Sequence, residues 1–308
     1  MRRARPGAPP RRPAYARPVL RIIDARTGEP APAAPARRAP TRVEAHVRGR
    51  DAGALRVLLV ADLLVRALEL DGTPAWAVLT GTAEPDRLRK DAAALGVRPF
   101  EDGAATGPGP GTGQVVRVVA EAEAEAGTGT GTGAEAAAEP VAACVSEGKH
   151  GSGNGGEAQD ADQSGERGGD GDVRDAMTVA VAPVRPAAPD LDSDLADPDA
   201  VRLALLERHH HACVELDAAV LDAARDTLAR LRRAVADWAR HPSRPVPGEL
   251  RDRLRAAWED DLDAPAVLRL LRRVESDPDL ADGARFEICA YADRFLGLHL
   301  TRDVGSAP

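Results

Sequence analysis

Hydrophobic and polar positions near the start of the chain change period twice, and each change predicts a different element. Residues 42–48 alternate between apolar and polar side chains, which is the pattern of a half-buried or edge strand. From Ala54 the apolar residues recur every three or four positions as far as Gly72, which predicts an amphipathic helix ending at a glycine. The apolar run at 75–79 predicts a parallel strand buried on both faces, and a second helix is predicted at 84–95. This order predicts a right-handed crossover in a Rossmann-like parallel sheet.

The last third of the chain predicts an antiparallel bundle of about five helices. Asp197 is an acidic N-cap with a proline directly after it, which is a strong start signal. Prolines at 241–248 interrupt the helical pattern. The acidic run at 259–261 lies beside a turn between helices, so capping and solvation explain it better than a metal site. Besides the helix that starts at Asp197, helices are predicted at about 216–238, 249–259, 264–275 and 284–296.

The middle of the chain has little apolar surface to offset the entropy of ordering it. Residues 103–171 are dominated by Gly, Ala, Glu, Thr and Asp and include an AEAEAEA repeat at 120–126, so this segment is predicted to be largely disordered. Single strands are predicted at 115–119 and at 177–184. The predicted organisation is a basic disordered arm at 1–17, a Rossmann-like remnant at 18–102, a low-complexity disordered segment at 103–175, and a remnant strand with the helical bundle at 176–308.

Charge is distributed unevenly along the chain. The formal net charge is −8, yet the first fifty residues are rich in arginine and carry a net positive charge of about ten. Such an arm attracts RNA or acidic partners without specificity, and this interpretation is preferred to a targeting peptide because the whole chain is rich in Ala, Arg, Gly and Pro. No apolar run approaches the length of a membrane span, so a cytoplasmic protein is predicted.

Four segments of the chain resemble, in sequence and in order, segments of one enzyme family. Residues 18–32 resemble its opening strand and turn, 41–99 its first strand–helix unit, and 197–238 the helix pair after its nucleotide-binding signature. Residues 254–274 resemble its acidic turn between two helices, with matching positions at Asp260, Asp261, Asp263 and Pro265. These segments cover roughly half of the chain and resemble the cysteinyl-tRNA synthetases, which are class I aminoacyl-tRNA synthetases, and the related mycothiol-pathway cysteine ligases. The resemblance implies ATP-dependent activation of cysteine, with ATP and zinc as cofactors and tRNA as a partner.

The signatures that carry this chemistry in the family have no match here. Where the family has a zinc-ligand cysteine followed by a His-x-Gly-His motif, the chain has Arg48 and the short turn 49–53. The family's lysine-rich loop neutralises phosphate charge, but the only two lysines are Lys90, in a predicted helix, and Lys149, in a glycine-rich stretch. We therefore assign no catalytic, cofactor-binding or metal-binding residues. The favoured hypothesis is a degenerate, non-catalytic paralogue that binds tRNA, a ligand or a protein partner; the alternatives are an active ATP-dependent cysteine ligase or synthetase with rearranged site residues, and a relic without activity.

The most visible histidine cluster is His209, His210 and His211. Consecutive residues of a helix point about a hundred degrees apart, so these rings are not expected to face one metal. The acidic residues nearest to helical spacing are Glu207 and Glu215. A partly exposed helix end is preferred to a metal or tRNA contact.

Cysteines offer little else for metal binding. Cys144 and His150, with Glu147 between them, have a loose C-x5-H spacing, but an unpaired thiol is the preferred interpretation. Cys213 and Cys289 lie in predicted helices and are interpreted as small buried hydrophobic residues. Three scattered cysteines give no disulfide framework, which suits a reducing cytoplasm.

Overall fold

A computed structural model describes residues 19–35, 40–103, 114–128, 176–186 and 197–305. The strands are β1 (Arg21–Asp24), β2 (Glu29–Pro32), β3 (Thr41–His46), β4 (Ala75–Thr80), β5 (Glu101–Asp102), β6 (Gln114–Ala120), β7 (Met177–Val181), β8 (Val184–Pro186) and β9 (Val214–Leu216). The helices are α1 (Ala52–Leu70), α2 (Pro85–Ala94), α3 (Glu121–Thr128), α4 (Pro198–Leu206), α5 (Ala218–Trp238), α6 (Gly248–Glu259), α7 (Ala264–Ser276) and α8 (Asp282–Leu296).

A parallel sheet of five strands forms the first half of the molecule, in the order β5-β4-β3-β6-β7. The strand order reverses between β3 and β6, which is the topological switch point at which sheets of this kind bind ligands. A small antiparallel hairpin, β1 with β2, precedes this sheet. The short strand β8 leaves the end of β7 and pairs in parallel with β9, which lies between the first two helices of the bundle.

Helix α1 is the central element of the core. It packs against β3, β4 and β6 on one side and contacts α8 of the helical bundle. Because it is covered from both sides, fifteen of its nineteen residues are buried, including the leucines that mark its helical period. Asp51 caps the first turn of α1. The helix ends at Leu70, and the chain changes direction at Gly72, whose φ of 82° is the left-handed conformation that glycine adopts readily.

The sheet and the bundle are joined by a buried charge network around Arg202 in α4. The Arg202 side chain is fully buried and reaches Asp62 in α1, the carbonyl of Leu95 after α2 and the carbonyl of Leu296 at the end of α8. Four separate elements therefore meet at one guanidinium.

The predicted architecture, a Rossmann-like sheet unit followed by a helical bundle, is confirmed. Two expectations about the secondary structure of the sheet half differ from the structure. The strand predicted at 177–184 ends at Val181 and a separate strand begins at Val184, and the acidic–alanine stretch predicted as disordered is helical at Glu121–Thr128. Residues 1–18 and 129–175 lie outside the described residues, so the arm, most of the low-complexity segment and the domain limits stay predictions. Among the described helices, none combines the length and apolarity needed to cross a membrane.

Candidate functional site

A cleft of about 480 Å³ opens at the carboxyl edge of the sheet, beside the switch point. Its walls are the turn between β3 and α1, the start of α3, and the connection from β7 to β8. Most of the lining is small and apolar, and the polar exceptions are His46, Arg48, Asp51 and Glu123. Rossmann-like sheets bind their ligands at this place, so these four side chains are the candidates for ligand contacts.

Asp51 occupies the start of α1, where it lines the cleft. Its Oδ1 accepts a hydrogen bond of 2.7 Å from the backbone N–H of Ala54, and its backbone carbonyl accepts from Leu55. A helix start with exposed N–H groups is a ready-made anion site, because these donors and the helix dipole both favour negative charge. In this chain a carboxylate already fills that position.

The other polar side chains of the cleft pair with each other or with the sheet. Arg48 is largely exposed, and its Nε lies 3.1 Å from Oε1 of Glu123. Nδ1 of His46 lies 3.1 Å from the hydroxyl of Thr80 on the neighbouring strand. The imidazole also sits against Gly81, where a β-carbon would lie 2.6 Å from the ring, so only glycine leaves room for it.

Arg56 connects the wall of the cleft to the histidine turn. Its guanidinium is buried and donates to the carbonyl of Ala182 at 2.7 Å and to the carbonyl of His209 at 2.8 Å. The backbone N–H of Ala182 in turn donates to the carbonyl of His210 at 2.8 Å. Burial lowers the pKa of Arg56 to about 10, against a smaller raising effect of Cys213, so the side chain stays protonated at neutral pH.

The histidine triplet is not part of a helix, and the expectation that its rings diverge is wrong. Helix α4 ends at Leu206, and residues 209–211 form a turn that brings the three rings together, with centroid separations of 4.4 Å between His209 and His210 and 4.1 Å between His210 and His211. All three rings lie within 4 Å of the carboxylate of Asp261.

Asp261 was assigned to a solvated acidic turn, and this interpretation is also wrong. Its carboxylate is buried, and Oδ1 accepts a 3.0 Å hydrogen bond from the backbone N–H of Ile23 in β1. The sequence separates Asp261 from the histidines by fifty residues, so no local spacing could have linked them. Burial, followed by the neighbouring histidines and Arg56, lowers the pKa of His210 well below its ordinary value, so this ring is neutral near pH 7.

The remaining candidates divide between the two halves of the molecule. Cys289 in α8 is fully buried as predicted, whereas Cys213 is partly exposed and lies just before β9 rather than in a helix. Lys90 lies on α2 and is not among the residues that line the cleft. Cys144, Glu147, Lys149 and His150 fall outside the described residues.

Comparison with known proteins gives partial matches to one kind of enzyme. No family model matches the chain. A protein of Acidothermus cellulolyticus is 40% identical over 112 residues, which is 36% of this chain and 27% of that protein. A protein of a Parafrankia species is 51% identical over 73 residues (24% and 16%), and one of Streptomyces griseus is 36% identical over 108 residues (34% and 25%).

Each of these three relatives is named L-cysteine:1D-myo-inositol 2-amino-2-deoxy-alpha-D-glucopyranoside ligase. The chain spans about a quarter of the length of these curated relatives or less. The predicted relationship to the cysteine-ligase family is confirmed over these stretches.

Proposed function

We propose that this relative of the cysteine ligases is a non-catalytic binding protein whose cleft takes a small ligand that carries no phosphate charge. One observation carries the proposal: the Asp51 carboxylate occupies the helix start that lines the cleft. An enzyme that activates an amino acid with ATP must place phosphate groups near cationic or N–H donors at this edge of the sheet. A carboxylate at the same point repels them.

The charge balance of the cleft supports this choice. Its lining contains the carboxylates of Asp51 and Glu123 and one guanidinium, that of Arg48, which already pairs with Glu123. Two unit charges about 4 Å apart interact by roughly 1 kcal/mol in water and by about 4 kcal/mol near a protein surface. The approach of a triphosphate is therefore disfavoured, and a neutral or cationic ligand is favoured.

Size and polarity favour a small ligand over no ligand. The volume of about 480 Å³ lies within the ordinary range of ligand pockets, and the lining is mainly alanine, valine, glycine and proline. An apolar wall with a few polar groups at its rim suits a nucleoside or a similarly flat molecule. The resemblance of four segments to enzymes that activate cysteine with ATP makes an adenosine-like group the first candidate.

The alternative is an active ATP-dependent ligase that uses rearranged residues. The retained parallel sheet and the cleft at its switch point favour it, with His46 and Arg48 of the lining as the candidates to contact a phosphate. tRNA or a protein partner is a further candidate, and a cytoplasmic location suits all of these functions. For tRNA, filter binding that weakens steeply with added salt would reveal contacts to phosphates.

The deciding experiment is calorimetry of the full chain with adenosine, ATP and a non-hydrolysable cysteinyl-adenylate analogue, together with cysteine-dependent exchange of pyrophosphate into ATP. We expect no exchange, and adenosine should bind more tightly than ATP. Asp51→Asn keeps the N-cap acceptor but removes its charge, so it should strengthen ATP binding by about fivefold, or about 1 kcal/mol.

Asp217→Asn is the matched control for this experiment. Asp217 caps α5 in the same way, accepting from Val220 at 2.7 Å, but it does not line the cleft. Asp217→Asn should leave the affinities for adenosine, ATP and the adenylate analogue unchanged. Measurable pyrophosphate exchange, or ATP that binds more tightly than adenosine, would overturn the proposal in favour of the active ligase.

A further inference from the structure

We propose that His209, His210, His211 and Asp261 form a binding site for one divalent transition-metal cation, with Zn²⁺ as the first candidate. The site does not depend on the function proposed for the cleft. It also differs from the zinc site that the family resemblance implies, because the position of that site's cysteine is taken by Arg48 in the cleft.

The four side chains already converge on one point. Their candidate ligand atoms all lie within 4.8 Å of one another. Nε2 of His211 is 2.9 Å from one carboxylate oxygen of Asp261 and Nε2 of His209 is 3.8 Å from that oxygen, while Nε2 of His210 is 3.7 Å from the other. A tetrahedral zinc ion with bonds of about 2.0–2.1 Å needs donors about 3.3 Å apart, so the cluster must contract by about 1.5 Å at most.

The donor set selects the class of cation. Three imidazoles and one carboxylate satisfy a four-coordinate tetrahedral site, which is the geometry of structural zinc. Imidazole is a good ligand for zinc, copper and nickel, whereas magnesium and calcium prefer sites made of oxygen atoms. A zinc-like ion is therefore expected to bind, and a hard cation is not.

His210 supplies an independent indication that a ligand belongs here. Its side chain is 4% exposed, and its Nε2 is buried without a hydrogen-bond partner among the described residues. Buried polar atoms are nearly always paired, so this nitrogen needs an explanation. A cation placed between the rings would supply its missing partner.

The backbone that presents the carboxylate is strained. Asp261 and Leu262 both have left-handed φ values, of 52° and 57°, and neither is a glycine. Such conformations are costly for residues with a β-carbon and persist only where the surroundings hold them. Here the backbone N–H of Asp261 donates to the carbonyl of Arg21 at 2.8 Å, and its carboxylate accepts from Ile23 at 3.0 Å. The strained turn thus aims the carboxylate at the histidines while it anchors β1.

The competing explanation is a metal-free cluster in which Asp261 only accepts hydrogen bonds. Nδ1 of His209 accepts a long contact of 3.4 Å from the backbone N–H of His211, which places the proton of a neutral ring on Nε2. Metal binding through Nε2 would shift this proton to Nδ1 and break that contact. One long hydrogen bond is a small loss against a metal–imidazole bond, but the two states differ enough to be separated by experiment.

The test uses the full chain without a histidine tag, stripped with a chelator and titrated with Zn²⁺ by calorimetry and with Co²⁺ by visible absorption. We expect one equivalent of Zn²⁺, the intense visible bands of tetrahedral Co²⁺, and a thermal midpoint that rises with Zn²⁺. His211→Ala removes a partly exposed ligand, and Asp261→Asn keeps an acceptor for Ile23 while removing the charge. Each should weaken Zn²⁺ binding at least tenfold.

His299→Ala is the matched control, because His299 lies 3.9 Å from Asp199 and outside the cluster. A Cys144→Ser, His150→Ala double variant tests the competing C-x5-H pair. Both controls should bind Zn²⁺ like the unchanged protein. Circular dichroism verifies that each variant is folded. The proposal is overturned if the unchanged protein binds no Zn²⁺ saturably, or if folded Asp261→Asn binds it normally, or if only the Cys144/His150 variant loses it.

Discussion

Replacing Arg202 with methionine should destabilise the whole protein, because this side chain holds the sheet and the bundle together. Its Nε donates to the carbonyl of Leu296 at 2.8 Å and its Nη1 to the carbonyl of Leu95 at 3.0 Å. Its Nη2 lies 3.2 Å from Oδ2 of Asp62, and both of these side chains are almost completely shielded from solvent. Methionine has a similar length and fills the space, but it offers no donors.

The expected cost follows from what is left behind. Breaking a buried ion pair by removing one partner typically costs about 3–5 kcal/mol, because the remaining charge stays buried. Asp62 would still contact Arg66 at 2.8 Å and Arg98 at 3.0 Å, which brings the estimate for the carboxylate toward the lower end. The two carbonyls that lose a donor add about 1 kcal/mol or more each. We therefore expect a loss of about 5 kcal/mol, which is a large part of the stability of an ordinary domain.

Urea unfolding followed by far-ultraviolet circular dichroism and tryptophan fluorescence measures this loss. Arg225→Met is the control, because Arg225 also pairs with two carboxylates, those of Asp197 and Asp222, but at the surface. It should change the urea midpoint little. A loss below about 1 kcal/mol for Arg202→Met, the size expected of a surface pair, would refute the reasoning.

Low pH should weaken the same network of Arg202 and Asp62 and so lower the stability of the protein. Burial alone would raise the pKa of Asp62, but the charges of Arg202 and Arg66 and the hydrogen bonds from Arg98 and Arg66 outweigh it and hold this pKa below its ordinary value. The stability that the carboxylate supplies is therefore complete above about pH 3.9, the ordinary value for aspartate, and is lost as the pH falls through the lower folded pKa. Asp62→Asn should be less stable at neutral pH and lose less on acidification. The measurement is the urea midpoint of the unchanged protein and of Asp62→Asn from about pH 6 to about pH 3, an interval that includes the ordinary pKa of about 3.9. If the two midpoints fall by the same amount over this interval, this account is contradicted.

Two further expectations concern the bundle. Gly283→Ala should lower the free energy of unfolding by about 1–3 kcal/mol, because its β-carbon would lie 1.9 Å from the carbonyl oxygen of Pro242. Gly248→Ala is the control, because a β-carbon there meets open space. Equal thermal midpoints for the two variants would exclude the predicted clash. Burial raises the pKa of Cys289 to about 12, so a thiol reagent at neutral pH should modify this residue only when urea unfolds the protein. Peptide mass spectrometry measures the modification, and rapid labelling of Cys289 in the folded protein would disprove this expectation.

The elements with a continuous hydrophobic period could be predicted from the sequence. Helix α1 was predicted because its leucines repeat at helical spacing and its end is marked by Gly72. The strand at 75–79 was predicted because an unbroken apolar run suits a strand covered on both faces, and β4 spans Ala75–Thr80. Its burial is only partly as predicted, because Val78 and Leu79 are buried whereas Ala75, Trp76 and Ala77 are half-buried. In both cases burial acts through nearest neighbours in sequence, so the pattern is visible without the fold.

The histidine cluster could not be predicted, since it depends on where α4 ends and on a residue fifty positions away. The argument that neighbouring rings diverge is valid for a helix, but α4 ends at Leu206 and the chain turns before His209. Helix ends are poorly defined by propensity alone. Glu207, the residue that follows, pairs with Arg272 in α7, so tertiary contacts help to fix this end. The sequence signal that remained was only the unusual run of three histidines.

Several arginines of this chain are buried and join distant segments, whereas the described residues that line the cleft include one arginine, Arg48. Arg56, Arg202 and Arg232 are all buried, and each donates to a main-chain carbonyl of a distant segment. A guanidinium suits this task because its five donors can satisfy several carbonyls that helix ends leave unpaired. Phosphate chemistry needs such cations exposed at the carboxyl edge of the sheet, where the cleft contributes Arg48. The distribution of charge therefore favours a scaffold in which buried arginines join the sheet to the bundle over a site that stabilises a transferring phosphate.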